Sequence, residues 1–292
     1  FGFFAVRRGP GNGSSIKSAM VLLLLTFFIL VFPKAGSLYE SMHLSPGDSF
    51  QVYLEEGLEG VVVTYENQGS VLNYINGLEH GGRFFPRWYY QAIEAMSYSR
   101  RIDDVLIIGY GTGSIAEMVL KSDEARRVTV VEINAALLRN LKKIPFFDNM
   151  LADQRIDLIL DDGRRFLLNS ERKYDLILID PLRTTTSYSN NLYSREFFEL
   201  AARHLNEGGV FMTYMDEYRV MPKTVLSAFE NVRLYDFFAL GSNRPFEINA
   251  GRRERLYMSF PRGVREWVKG SGRYEGDQSF IRKLTGPYPI NR

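Results

Sequence analysis

The stretch Val105-Leu106-Ile107-Ile108-Gly109-Tyr110-Gly111-Thr112-Gly113-Ser114 decides how this chain is read. An apolar run leads straight into glycines at alternate positions, and helical spacing begins at Ser114. A short apolar run bounded by glycine fits a strand buried on both faces. Glycines let the chain turn sharply and let a ligand approach the backbone. The helix behind them offers unpaired N–H groups to such a ligand.

Working outward, the same alternation of apolar strand and amphipathic helix continues. Strands are expected at 105–109, 128–133, 156–162, 174–180, 209–215, 232–240 and 255–260, and helices near 114–121, 135–141, 164–168, 195–205 and 222–231. That order implies an α/β fold with a parallel sheet covered by helices on both faces. The last two strands are expected to form an antiparallel hairpin at the sheet edge. Upstream, residues 49–78 are rich in Val, Tyr and Thr and broken by Gly and Asn, the signature of short antiparallel strands. A helix is expected from Arg87 to Tyr98, with Pro86 near its start. The domain reading is a membrane segment with its basic flank at 1–36, a β-hairpin subdomain at 49–82, a nucleoside-binding α/β domain at 85–262 and a tail at 263–292.

Composition narrows the function classes. The chain has 292 residues, 45% hydrophobic and 24% charged, which fits a globular protein. Its 36 basic and 34 acidic residues leave a net charge of +2, without the basic excess of a nucleic-acid binder. Cysteine is absent, which removes thiol nucleophiles, disulfides and Cys-ligated metal. With only three histidines, a His-rich metal site is not expected either. The first residue is Phe1, which reads as a fragment or a processed chain.

Residues 19–32, AMVLLLLTFFILVF, carry no charge, and Arg7, Arg8 and Lys17 precede them. A span needs ~20 apolar residues, so the run is short. Four consecutive leucines leave no polar face, and the reading favours a transmembrane segment over a signal-type segment or a buried helix. The flanking charges put the preceding side in the cytoplasm. A ligand made inside the cell puts the domain there instead, and the cytoplasmic face of a bacterial-type inner membrane is the expectation.

Three acidic positions complete a candidate site. Glu132 ends the next strand, ~20 residues beyond the glycines, where an acid accepts both hydroxyls of a ribose. Asp161, Asp162 and Gly163 end the third strand, where an Asp accepts from an exocyclic amine such as that of adenine. The same Asp residues are also good helix N-caps. Asp180 ends the fourth strand, where a carboxylate holds an amine and takes its proton. The loop is not the dinucleotide pattern, and no Walker-type GK[ST] is present. A sulfonium nucleoside, S-adenosylmethionine or its decarboxylated form, fits Gly109, Gly111, Gly113, Glu132 and the Asp pair.

These residues, with GYGTG (109–113), VVEIN (130–134), DDGRRFL (161–167), YDLILIDP (174–181), LYSREFFELAARHLNEGGVF (192–211) and the hairpin text EEGLEGVVVTYENQGSVLNYINGLEH (55–80), resemble the spermidine synthase (aminopropyltransferase) family, and within it the membrane-attached branch. The resemblance implies a class I methyltransferase-like, Rossmann-type seven-stranded sheet with a small N-terminal β-hairpin subdomain, preceded by a transmembrane segment. It implies aminopropyl transfer from decarboxylated S-adenosylmethionine to a small-molecule amine, without metal or nucleic acid. By the same resemblance Glu132 holds the ribose, Asp162 the adenine amine, and Asp180 the attacking amine. Tyr89 falls at an active-site tyrosine, Tyr193 at an aromatic near the nucleoside, and His80 where a ligand-touching glutamine stands. The family often forms homodimers. The chain departs from the family pattern at Arg183, where a second loop acid is usual, and at Gly82-Arg83-Phe84-Phe85, where acids are usual. Arg183 instead suits a carboxylate on the substrate. An S-adenosylmethionine-dependent class I methyltransferase and a non-catalytic nucleoside-binding domain remain alternatives.

Overall fold

The computed structural model describes residues 12–33, 35–43, 49–83, 85–180, 189–215, 220–235, 237–260 and 265. The chain divides into two compact units at Asp48/Ser49.

The first unit holds α1 (Asn12–Val31) and α2 (Ala35–His43). In α1 the side chains from Met20 onward are solvent-exposed, Leu30 by 78%. They therefore do not form the core helix that one reading allowed. The transmembrane expectation is corrected as well. No helix among the described residues is long and apolar enough to cross a membrane, because the apolar run falls short of the ~20 residues a span requires.

The second unit begins with an antiparallel meander, β1 (Gln51–Gly57), β2 (Gly60–Asn67), β3 (Ser70–Ile75) and β4 (Leu78–Gly82), in that sheet order. Its turns are tight. Asn76 and Gly77 both have positive φ, 52° and 78°, the requirement of a two-residue primed turn between paired Ile75 and Leu78.

Next come α3 (Pro86–Tyr98), β5 (Asp104–Ile108), α4 (Ser114–Leu120), β6 (Arg127–Glu132), α5 (Ala135–Lys142), α6 (Pro145–Leu151), β7 (Ile156–Leu160), α7 (Gly163–Leu168) and β8 (Tyr174–Ile179). A 3-10 turn (Asn190–Tyr193), α8 (Arg195–Arg203), β9 (Leu205–Tyr214), α9 (Met221–Ala228), β10 (Asn231–Leu234), β11 (Phe238–Ser242) and α10 (Ala250–Met258) follow. The main sheet has seven strands in the order β10-β11-β9-β8-β5-β6-β7. Strands β9 to β7 of that order are parallel; β11 alone is reversed, pairing antiparallel with both β9 and β10. The expected seven-stranded α/β sheet is present.

Two expected strands are different. The text 232–240 folds back on itself, and β10 pairs β11 with Leu234 opposite Ala239. The text 255–260 is not a strand: 255–258 close α10, and Ser259 and Phe260 follow it. Asn249 caps that helix by accepting from the Arg252 N–H, and its arginines reach acids on other elements. Helices α2 and α6 were not anticipated.

Both faces of the sheet are buried. Val105, Ile107, Val128, Val130, Leu176, Leu178, Val210 and Met212 face α3, α4, α5 and α10, whereas Leu106, Ile108, Ile177, Ile179 and Phe211 face Phe197, Phe198 and Val225 of α8 and α9. The alternation follows from the two-residue period of a strand. The hairpin sheet is anchored on α5, where buried Asn140 donates to the carbonyls of Tyr53 (3.1 Å) and Val62 (3.0 Å).

Candidate active site

The parallel strands order the site. Crossovers leave β5 toward β6 and β7 on one side and toward β8 and β9 on the other. Ligands in open α/β sheets bind in the crevice this reversal leaves at the carboxyl ends of the strands. Glu132 and Asp180 end β6 and immediately follow β8, the two neighbours of β5. By the two-residue period both share the face of Val130 and Leu178, the α3 side. The loop 109–113 leaves β5 between them.

Glu132 is 5% exposed and takes two backbone donors, Tyr110 N–H on Oε2 and Asn134 N–H on Oε1, each at 2.7 Å. Burial pushes its pKa up, against those N–H groups, which lower it. A carboxylate has about four lone-pair sites, so two backbone bonds still leave acceptors for hydroxyls. At Gly111, φ is +55° and a Cβ would meet nothing within 4 Å, an open surface above the loop. Tyr110 itself is buried, with its hydroxyl unpaired.

Asp162 caps α7, accepting from Arg165 N–H at 2.8 Å. Asp161 accepts from Asp162 N–H and from Arg165 Nε. The N-cap use is thus realised, and Asp162 retains its second oxygen. Gly163 is sterically required, since a Cβ would stand 2.2 Å from Ile108 Cγ2. This contact closes α7 onto β5.

Asp180 is partly buried at the tip of β8. Burial alone pushes its pKa up to about 7.

The remaining expected residues are placed differently. Tyr89 is 1% exposed, donates to Glu117 Oε2 at 3.0 Å, and packs against the Phe260 ring at 4.7 Å. Burial and Glu117 raise its pKa to about 12, so it is a protonated donor at neutral pH. Tyr193 is fully buried in the core on the opposite face of the sheet from Glu132. His80 lies half-buried on β4. Arg183 lies outside the described residues. Arg83, where the family usually has acids, pairs with Glu117 at 3.4 Å and lies over the Phe146 ring.

Two buried polar groups on α3 were missed. Gln91 is fully buried with neither amide atom paired. Such a group normally has a partner, and an orphan marks a place where water or ligand completes the bonding. Glu94 is 1% exposed, accepts from Tyr235 (3.0 Å) and Tyr257 (3.2 Å), and pairs with Arg253 at 2.6 Å. The signal for both was a polar residue inside the otherwise apolar text of 88–96.

The fold and this crevice define a Rossmann-like α/β protein of the methyltransferase type. A family model described as the spermine/spermidine synthase domain matches residues 92–240, about half of the chain, and the chain belongs to that family. It is 28% identical over 132 residues to the polyamine aminopropyltransferase of Bacillus subtilis (strain 168), covering 45% of this chain and 48% of that one. It is 31% identical over 136 residues to that of Buchnera aphidicola subsp. Acyrthosiphon pisum (strain Tuc7), covering 46% and 47%. The chain spans about half the length of these curated relatives. Among solved structures, spermidine synthase from Thermotoga maritima superposes with a TM-score of 0.64 at 18% identity, covering 80% of this chain and 87% of that one. A probable spermidine synthase from Corynebacterium glutamicum gives 0.59 at 20% identity, covering 82% and 95%. At these identities the likeness shows the fold.

Proposed function

We propose that this protein is an aminopropyltransferase. It would move the aminopropyl group of decarboxylated S-adenosylmethionine to a small amine. The observation that carries the reading is the placement of Glu132 and Asp180 on one sheet face, flanking the glycine loop. Glu132 accepts the ribose hydroxyls, Asp162 the adenine amine, and Gly111 leaves room for the nucleoside. The orphan amide of Gln91 is a further candidate contact.

In the reaction, the amine nitrogen attacks the propyl carbon next to sulfur. The N–C bond forms as the C–S bond breaks, the electron pair goes to sulfur, and methylthioadenosine leaves. The nitrogen loses one proton, which Asp180 accepts. A free amine holds its proton to about pH 10, so this acceptor matters. A carboxylate whose pKa lies near the working pH suits the transfer. Alignment of nitrogen, carbon and sulfur supplies the rest of the rate.

The exposed apolar run from Met20 to Phe32 supports attachment of the first unit to a membrane. Flotation with lipid vesicles that is lost when 1–36 is deleted would test it.

The main test is mass spectrometry of the nucleoside product, with both sulfonium donors, mixed amines and Asp180→Asn as control. Methylthioadenosine that vanishes in the variant supports aminopropyl transfer. S-adenosylhomocysteine would make the protein a methyltransferase.

A further inference from the structure

The hairpin sheet meets the first turn of both helices that open behind the glycine loop and Glu132. On its β1 side, Gly57 lies against α5, where a Cβ would stand 3.2 Å from Ala136 Cβ and 3.8 Å from its backbone nitrogen. On its β4 side, Arg83 reaches α4, with Nε 3.4 Å from Glu117 Oε2. The same guanidinium donates to the Gly69 carbonyl of the β2–β3 turn at 3.1 Å, and lies over the Phe146 ring of α6, 3.4 Å from its centroid. The Arg83 side chain is 9% exposed. Glu117 accepts the Tyr89 hydroxyl on the same oxygen, and its own N–H donates to the Gly113 carbonyl at 2.7 Å. The charges of Arg83 and Glu117 both act on the buried, unpaired hydroxyl of Tyr110 inside the glycine loop.

We propose that Arg83 is a positioning residue for the nucleoside. By fastening the end of β4 to Glu117, it fixes how far the hairpin sheet stands from the glycine loop, and so sets the affinity for the nucleoside half of the donor. The proposal rests on the reading of that loop as the nucleoside site and adds the residue that sets its width. The arrangement asks for arginine. A planar guanidinium serves two acceptors in fixed directions while its face lies on a ring, and a lysine ammonium does not hold all three. A charge-assisted bond withdrawn from water also keeps its geometry better than an exposed pair. The β1 side has its own ties, because Glu55 pairs with Arg139 and Lys143, and Asn140 holds two hairpin carbonyls. With that side held, loss of Arg83 lets the sheet swing at β4 without releasing it from the domain.

Calorimetric titration of the full-length protein with methylthioadenosine is the test. Arg83→Met keeps an apolar stem over Phe146 but removes every donor. It should raise Kd about three- to thirtyfold, the range of couplings carried through packed side chains. Glu117→Gln keeps the shape and should act in the same direction, and in the double variant the two effects should overlap instead of adding. Arg83→Lys should restore the affinity only in part. In the transfer assay the donor KM should rise while kcat and the acceptor KM stay within about twofold, the mark of lost uniform binding. A merely structural loss would move all three together with Tm. Unchanged binding in Arg83→Met, additive effects, or donor and acceptor KM rising together overturn the tie. If Arg83→Met does not fold, Glu117→Gln decides alone: unchanged binding overturns the tie, and a rise in donor KM alone supports it. A parent that binds no methylthioadenosine takes the nucleoside reading and the tie down together. Weaker binding in the variants without any aminopropyl transfer leaves the tie standing and removes the reaction assignment.

Discussion

Glu132 Oε2 accepts the Tyr110 amide at 2.7 Å, tying the acid at the end of β6 to the first turn of the glycine loop. With the Asn134 amide on its other oxygen, the side chain shapes the pocket before any ligand arrives. Glu132→Gln turns an NH2 group toward one of these two N–H donors. Leaving such a buried donor unmet costs about 1–3 kcal/mol. Denaturant melts should show that loss without ligand, and calorimetric titration with methylthioadenosine should show weaker binding. A variant as stable as the parent would mean that the carboxylate is not shaping the loop.

Asp180 gives a pH prediction. Its pKa is raised to about 7, so the native state binds its proton more tightly than the unfolded chain does. Its contribution to stability is therefore fully present below the unfolded value of about 4 and is lost as pH rises through about 7. Asp180→Asn should raise Tm at about pH 8.5 and change it little at about pH 4. In the parent, kcat/KM should climb through about pH 7 as the base ionises. A profile flat from about pH 6 to 8 would remove Asp180 as the base.

Two glycines should respond differently to alanine. At Gly163 the new methyl would press on Ile108, and overpacking of this kind costs about 1–3 kcal/mol. At Gly111 nothing is in the way, and the cost is the left-handed backbone, about 1–2 kcal/mol. Gly163→Ala should lower the chemical midpoint and leave residual binding. Gly111→Ala should reduce nucleoside affinity more, because the methyl occupies the open surface above the loop. Equal effects of both on binding would count against that surface as the ligand's place.

Arg252 is 3% exposed, pairs with Glu124, and donates to the carbonyls of Met96 (2.8 Å) and Ser99 (2.6 Å). Removing one such charge-assisted set costs about 2–3 kcal/mol. Arg126, 82% exposed beside Asp103, should cost near zero. Urea melts of Arg252→Ala and Arg126→Ala should separate by that margin.

The buried parallel strands were legible because burial on both faces demands uninterrupted apolar text, as in 105–108 and 176–179. Glu132 and Asp180 were legible as acids at the ends of such runs. The C-terminal elements were not. Tyr257, Met258 and Phe260 suit a strand by composition, but Arg252 and Arg253 find Glu124 and Glu94, partners more than a hundred positions upstream. No local pattern reports such pairs. The break at 235–237 was hidden in the same way, because Tyr235 turns inward to Glu94. Gln91 shows in the sequence only as a polar residue in apolar text; that its amide lacks a partner does not. Tyr193 went astray because a matched position does not tell which side of the sheet its ring enters.

Glu94 also bears on the order in which the chain matures at the ribosome. Its carboxylate is enclosed by Tyr235, Arg253 and Tyr257, all supplied from more than a hundred residues downstream. Until those residues emerge, closing α3 over the sheet would strand a charge in apolar surroundings, a penalty of several kcal/mol. The nascent chain therefore has reason to hold α3 ajar until α10 is synthesised. A product ending before residue 250 would expose α3 to chaperones and proteases, which makes α10 the latch that seals this buried carboxylate.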